Sequence, residues 1–221
     1  MNIQSMLATR PALDESIRKT LSNTLITVGA MWLITAVVGF MTRDAQIGGG
    51  LMLGLFVASL VTIFAVHKFR NSPVGLGLLA LFAALSGASL GPILARYAGM
   101  AGGTQMIATA AALTAAATFG CAMYAITSRR SFSHLGGFLF AAILVFLVAS
   151  IIAVFVQSSI LSLGLSVVGS LLFTVFLLYD ISEVVTGQET NYISASLSIF
   201  LDMFNLFMNL LRFLGLVGSD D

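Results

Sequence analysis

Seven apolar runs alternate with short polar breaks along the chain. They cover residues 23–41, 47–66, 74–95, 106–127, 135–156, 160–185 and 194–217. Each is close to the roughly 20 residues a helix needs to cross about 30 Å of hydrocarbon. The breaks hold the punctuation: Arg43 and Asp44, His67 to Asn71 before Pro73, Arg96 and the glycines after it, Ser128 to Ser131, Gln157 to Ser159, and Gly187 to Tyr192. The pattern predicts an all-α integral membrane protein with seven transmembrane helices. It divides the chain into a polar N-terminal tail over residues 1–22, a membrane domain over 23–217 and a short tail over 218–221. Gly87 and Gly91, four apart in the third run, predict a close approach by a neighbouring helix. Pro92 follows them and is expected to kink or end that helix. Gly187 is the expected stop of the sixth helix.

The last run differs from the others. Ser194, Ser198, Asp202, Asn205, Asn209 and Arg212 follow one another at spacings of 4, 4, 3, 4 and 3, so all six share one helical face. The rest of that helix is Leu, Ile, Phe and Met. An ionisable group at membrane depth costs several kcal/mol or more unless it faces protein or water. The stripe therefore predicts that the C-terminal helix is central in the bundle. The second reading of the run is a re-entrant segment after six full spans.

Composition agrees with the pattern. The chain is 58% hydrophobic and 9% charged, against about 25% charged in soluble domains. A net charge of +1 gives no reason to expect nucleic acid as a partner; the bilayer is the expected one. Where the charges lie decides orientation. Arg10, Arg18, Lys19, Lys68, Arg70, Arg129 and Arg130 fall on the side of the N-terminus, with Arg43, Arg96 and Arg212 on the other. The excess predicts a cytoplasmic N-terminus. The N-terminal residues lack the short apolar core and cleavage site of a signal peptide, so the first apolar run is expected to direct insertion. The lone Cys121 predicts no internal disulfide and reads as a small buried hydrophobe. His67 and His134 lie at helix ends with no second ligand at metal spacing.

Two acids carry the candidate chemistry. Asp180 lies seven residues before Gly187, roughly 10 Å along a helix, and Asp202 lies eight residues after Ser194, roughly 12 Å. A short turn joins the two helices, which predicts antiparallel neighbours with both aspartates at similar depth. Two carboxylates close together in a dry interior cannot easily both ionise, so the pair is expected to share one proton. Glu183, one turn on, is a candidate third acid, and Asn205 and Ser198 are candidate local partners of Asp202. Asn209 and Arg212 read as packing and interface anchors. Tyr179–Asp180 superficially fits an intramembrane aspartyl protease, but Ile199–Phe200–Leu201 before Asp202 are too bulky for the glycine-rich element such an enzyme needs. No Ser–His constellation is evident either, and the chain is not expected to be an enzyme.

LLYDISEVV, GQETNYISASLSIFLD and MFNLFMNLLRFLG together resemble the Bax-inhibitor (transmembrane BAX inhibitor motif) family. GPILARYAG and TSRRSFSHLGGFLFAAI look like its bacterial YccA-type branch. The resemblance implies a seven-helix fold with the last helix central, in a bacterial inner membrane. It implies that Asp180 and Asp202 match the pH-sensing pair of the calcium-leak members. Lys68 and Arg70 are then the candidates for the basic latch on the first aspartate. This chain has no acid between Ile47 and Val66, where such members carry a glutamate; that departure bears on calcium conduction more than on pH sensing. YccA-type members that lack the aspartate pair are associated with the FtsH protease as modulators. This chain retains the pair, so it resembles a hybrid of the two patterns, with FtsH as an expected partner. Two functions follow as expectations. One is a pH-sensitive cation leak, with Asp180 and Asp202 as a weak, transient calcium site helped by Glu183, Asn205 and Ser198. The other is a non-transporting regulator that binds and modulates FtsH. No resident cofactor is expected under either.

Overall fold

The apolar runs are helices. The computed structural model describes residues 14–218, and in order the helices are α1 (Glu15–Thr42), α2 (Gly49–Phe69), α3 (Pro73–Ala98), α4 (Gly103–Ser128), α5 (Gly136–Val156), α6 (Ser159–Val185) and α7 (Tyr192–Val217). A 3₁₀ turn, Ser133–Leu135, precedes α5. All seven are long and apolar enough to cross a membrane, α7 included, so the last run is a continuous helix rather than a re-entrant hairpin. Short connections make the helices alternate in direction. One end of the bundle holds the start of α1, the α2–α3 turn, the loop before α5 and the α6–α7 turn. The opposite end holds Arg43, Arg96 and Arg212.

Helix α7 packs against every other helix except α5. Leu197, Ile199, Phe200, Leu206 and Leu211 on it are fully enclosed or nearly so. Helix α5 is the contrast: it packs on α6 alone among the helices, and Leu139 is its one buried residue. An all-apolar helix can face lipid over most of its surface, whereas a helix with a polar stripe cannot. The α1–α7 contact is aromatic. Trp32 meets Phe200, Phe204 and Phe207, with ring centroids 5.3, 6.3 and 6.2 Å away.

The expected close approach is at the α1–α3 seam. A Cβ at Gly87 would sit 2.6 Å from the Thr35 carbonyl oxygen, and one at Gly91 would collide with the Gly39 carbonyl oxygen. Thr35 Oγ1 donates across the seam to the Ala83 carbonyl at 3.0 Å. Pro92 does not end α3, which continues to Ala98. Membrane helices tolerate such a proline where neighbours and local adjustments satisfy the freed carbonyl. Gly187 does terminate α6, with φ +76° and its N–H donating to the Val184 carbonyl at 3.1 Å.

The start of α1 differs from the hydropathy boundary. Residues 15–22, which polarity assigns to the tail, are its first two turns. Asp14 caps them, its Oδ1 accepting from the Ser16 N–H at 3.3 Å. Leu21 is buried, and Ile17 rests on the α6–α7 turn at Gly187. Hydropathy marks where hydrocarbon begins; the helix starts where its cap is, one layer further out. The rest of the expected tail, residues 1–13, and residues 219–221 lie outside the described residues.

Candidate functional site

Helices α6 and α7 form one of the two most extensive pairings in the bundle, and a short turn joins them. The Gln188 and Glu189 amides both donate to the Glu183 carbonyl, at 2.8 and 3.0 Å. Asn191 then caps α7: its Oδ1 accepts from the amides of Ile193 and Ser194 at 3.0 and 3.1 Å. Its Nδ2 donates to the Arg70 carbonyl at 3.0 Å and to Asn71 Oδ1 at 2.7 Å, tying the α2–α3 turn to the same point. Asn191→Ala removes cap and tie together. A loss of about 1–2 kcal/mol of stability is expected, read as a lower melting temperature of the purified protein; an unchanged melt would show the cap to be dispensable.

This register brings Asp180 on α6 against Asp202 on α7 as neighbouring side chains. Asp202 is 5% exposed, and Asp180 is partly buried. Asp202 Oδ2 is buried and meets no N–H or O–H donor. Ionised carboxylates only accept, so the contact becomes a hydrogen bond when one of the two carries a proton. Without it, two like charges face each other in a poorly hydrated interior. Cys121 of α4 acts on Asp202 through space, and Glu183 and Glu189 act on Asp180. The Cys121 thiol points to the Thr174 carbonyl at 3.7 Å, in the packed core as a small hydrophobe.

The other candidate residues are distributed as follows. Glu183 is engaged outside the pair, its Oε1 accepting from Ser133 Oγ at 2.8 Å. Ser133 also bonds Gln188 Oε1 at 2.7 Å, and Gln188 Nε2 donates to Ser131 Oγ at 2.6 Å, so the loop before α5 is laced over the end of α6. Lys68 sits 5.8 Å from the centre of its neighbour Phe69's ring, and Arg70 is exposed. Neither pairs with Asp180; the ion pair among the described residues is Arg43–Asp44. Ser198 is partly buried on the stripe. Asn205 donates to the Leu201 carbonyl at 2.8 Å and Asn209 to the Asn205 carbonyl at 2.8 Å, each along its own helix. Asn209 also packs on Gly169 of α6, where a Cβ would come within 2.5 Å of its Oδ1. Arg212 is exposed at the opposite end, beside Tyr97. Among the described residues no three acid, histidine or cysteine side chains converge in a metal-holding group.

The lacing by Ser131, Ser133 and Gln188 has no signature that hydropathy or spacing detects. Asn191 does have one, because an Asn immediately before an apolar run is an N-cap signal.

Comparison with known proteins places the chain among relatives along nearly its full length. The family described as "Inhibitor of apoptosis-promoting Bax1" matches residues 17–219. An uncharacterized membrane protein of Vibrio cholerae is 37% identical over 204 residues, covering 92% of each chain. The "Modulator of FtsH protease YccA" of Escherichia coli is 34% identical over 206 residues, covering 93% of each. A "Golgi anti-apoptotic protein" of vaccinia virus is 32% identical over 166 residues, covering 74% of this chain and 68% of that one.

Proposed function

This chain belongs to the Bax-inhibitor family, and we propose that within it the protein is a membrane-embedded regulator that binds and modulates an FtsH-type protease. The observation that carries the reading is the 34% identity to the E. coli modulator over 93% of both chains. The proposed location is a bacterial inner membrane with the N-terminus cytoplasmic. In that orientation the aspartate pair and the laced α5 loop lie in the cytoplasmic half. Helix α1 starts at Glu15 and its first turns rest on the α6–α7 turn. The segment proposed for the protease is the N-terminal polar stretch ahead of the Asp14 cap.

The test is a deletion of residues 2–13, which leaves the Asp14 cap in place. The full chain is expected to co-purify with an FtsH-type protease from shared membranes and to change turnover of a membrane substrate several-fold. The deletion is expected to lose that effect and keep the parental melting temperature. Absence of co-purification by the full chain would withdraw the reading.

The aspartate pair favours a second reading, a pH-sensitive cation leak. A shared proton would bridge α6 to α7, and its loss would set two carboxylates against each other and part the helices. One feature counts against conduction: the polar stripe ends on Arg212, with Arg96 lining the same cavity. Cations at the far mouth oppose the passage of another cation. A proton-controlled change of shape in α6 and α7 serves a regulator equally well.

A further inference from the structure

We infer that the end of the bundle opposite the aspartate pair carries a binding site for one anionic phospholipid. Two cavities meet there at Arg212. One, of about 430 Å³, is lined by Arg96, Arg212, Tyr97 and residues Ile47 and Met52 at the start of α2. The other, of about 620 Å³, lies between α2 and α5, lined by Arg212, Phe56 and Ile151 among others. Neither arginine has a carboxylate partner among the described residues. Helix α2 begins beside the first cavity with no acid in its first turn, so no carboxylate from that turn competes for the two arginines. Two guanidinium groups without a carboxylate partner, lining one cavity, are suited to a phosphate.

The second cavity sets the kind of phosphate. Helices α2 and α5 do not touch each other, so the slot between them opens sideways to hydrocarbon. Asn205 and Asn209 in its lining donate to α7's own carbonyls, which leaves Arg212 as its charged group. Arg212 is five residues from the end of α7, roughly 8 Å along the helix. That is a suitable depth for the border between headgroups and hydrocarbon. A basic pocket at that border joined to an apolar slot matches an amphiphile: headgroup on Arg96 and Arg212, acyl chain past Phe56. Free phosphate fills only the first half. The inference does not depend on the protease reading or on the aspartate pair.

The experiment is native mass spectrometry of the full chain titrated with phosphatidylglycerol, with phosphatidylcholine and with inorganic phosphate. The expected result is a preference of about tenfold for phosphatidylglycerol, lost in the R96Q/R212Q double variant and not competed by inorganic phosphate. Brominated-chain phosphatidylglycerol gives a readout with both arginines intact. With Phe56→Trp in a Trp32→Phe background, it should quench the new fluorophore more than brominated phosphatidylcholine does. Equal binding of the two lipids, unchanged preference in the double variant, competition by phosphate or equal quenching would each overturn the inference.

Discussion

Replacing either aspartate by asparagine is expected to flatten the pH dependence of the α6–α7 pairing while keeping the helices together. With both acids present, the close contact needs a proton that separated, hydrated carboxylates release at neutral pH. The compact state then binds more protons than the opened one, so its stability falls as pH rises, by up to about 1.4 kcal/mol per pH unit for one linked proton. Two unit charges roughly 4 Å apart at an effective dielectric near 20 repel by about 4 kcal/mol, which bounds the effect from above. Asp202→Asn lets an amide N–H donate to Asp180 without titrating. At alkaline pH the variant should therefore melt above the parent, and at acidic pH the two should converge. Glu183, Glu189 and Cys121 act on the pair through space, and a residual slope in the double variant D180N/D202N would be theirs. The same variants in proteoliposomes decide the cation-leak reading. A pH-dependent calcium flux that flattens with D180N or D202N supports it; no flux from the parent protein at any pH removes it and leaves the regulator. Melting curves whose pH dependence survives both substitutions would show that the pair is structural only.

Much of this site is legible in the residues themselves, because membrane depth makes polar positions informative. In water a stripe from Ser194 to Arg212 would be one solvated face among many. In hydrocarbon it demands protein around it, and α7 accordingly contacts all the helices but α5. The matching depth of Asp180 and Asp202 follows from counting residues back from a short turn, since a rise of about 1.5 Å per residue leaves little freedom. Gly187, Gly87 and Gly91 are readable for a related reason: the first takes a left-handed φ, and the other two leave no room for a Cβ.

What stays hidden lies where the chain meets water. The first turns of α1 are polar yet helical, since a cap at Asp14 and contacts of Ile17 and Leu21 hold them, and neither appears in a hydropathy window. Spacing places Glu183 on the same helix as Asp180, one turn on, but its bond to Ser133 comes from a loop 50 residues away. The latch expected of Lys68 or Arg70 fails to form because the α2–α3 turn is held by Asn191 through Asn71 and the Arg70 carbonyl, with the two basic side chains left outside. Side-chain bonds between distant loops carry no periodicity, and only the assembled fold reveals them.

The largest loss of stability is expected at the α1–α3 seam. Helix association in lipid lacks a hydrophobic driving force, so it rests on close packing and on bonds between helices. Gly91→Val puts a branched side chain where even a Cβ collides with the Gly39 carbonyl oxygen and Thr42 Oγ1. The obstacle on the α1 side is backbone, so no rotamer relieves it. Helix α1 must move away, which stretches the 3.0 Å bond from Thr35 to the Ala83 carbonyl and draws Trp32 from its aromatic contacts on α7. Overpacking of this kind costs about 1–3 kcal/mol, and the lost bond adds about 1 kcal/mol. Gly87→Leu should act similarly, because a Cβ there meets the Thr35 carbonyl oxygen at 2.6 Å and Val38 Cβ at 3.0 Å. The control is on the same helix: Gly77 has open space where a Cβ would be built, so Gly77→Ala should hold or raise stability by up to about 1 kcal/mol. Melting followed by the single tryptophan separates the cases. A Gly91→Val protein that melts with the parent would mean that the seam yields, and that α1 is held instead by its aromatic contact with α7.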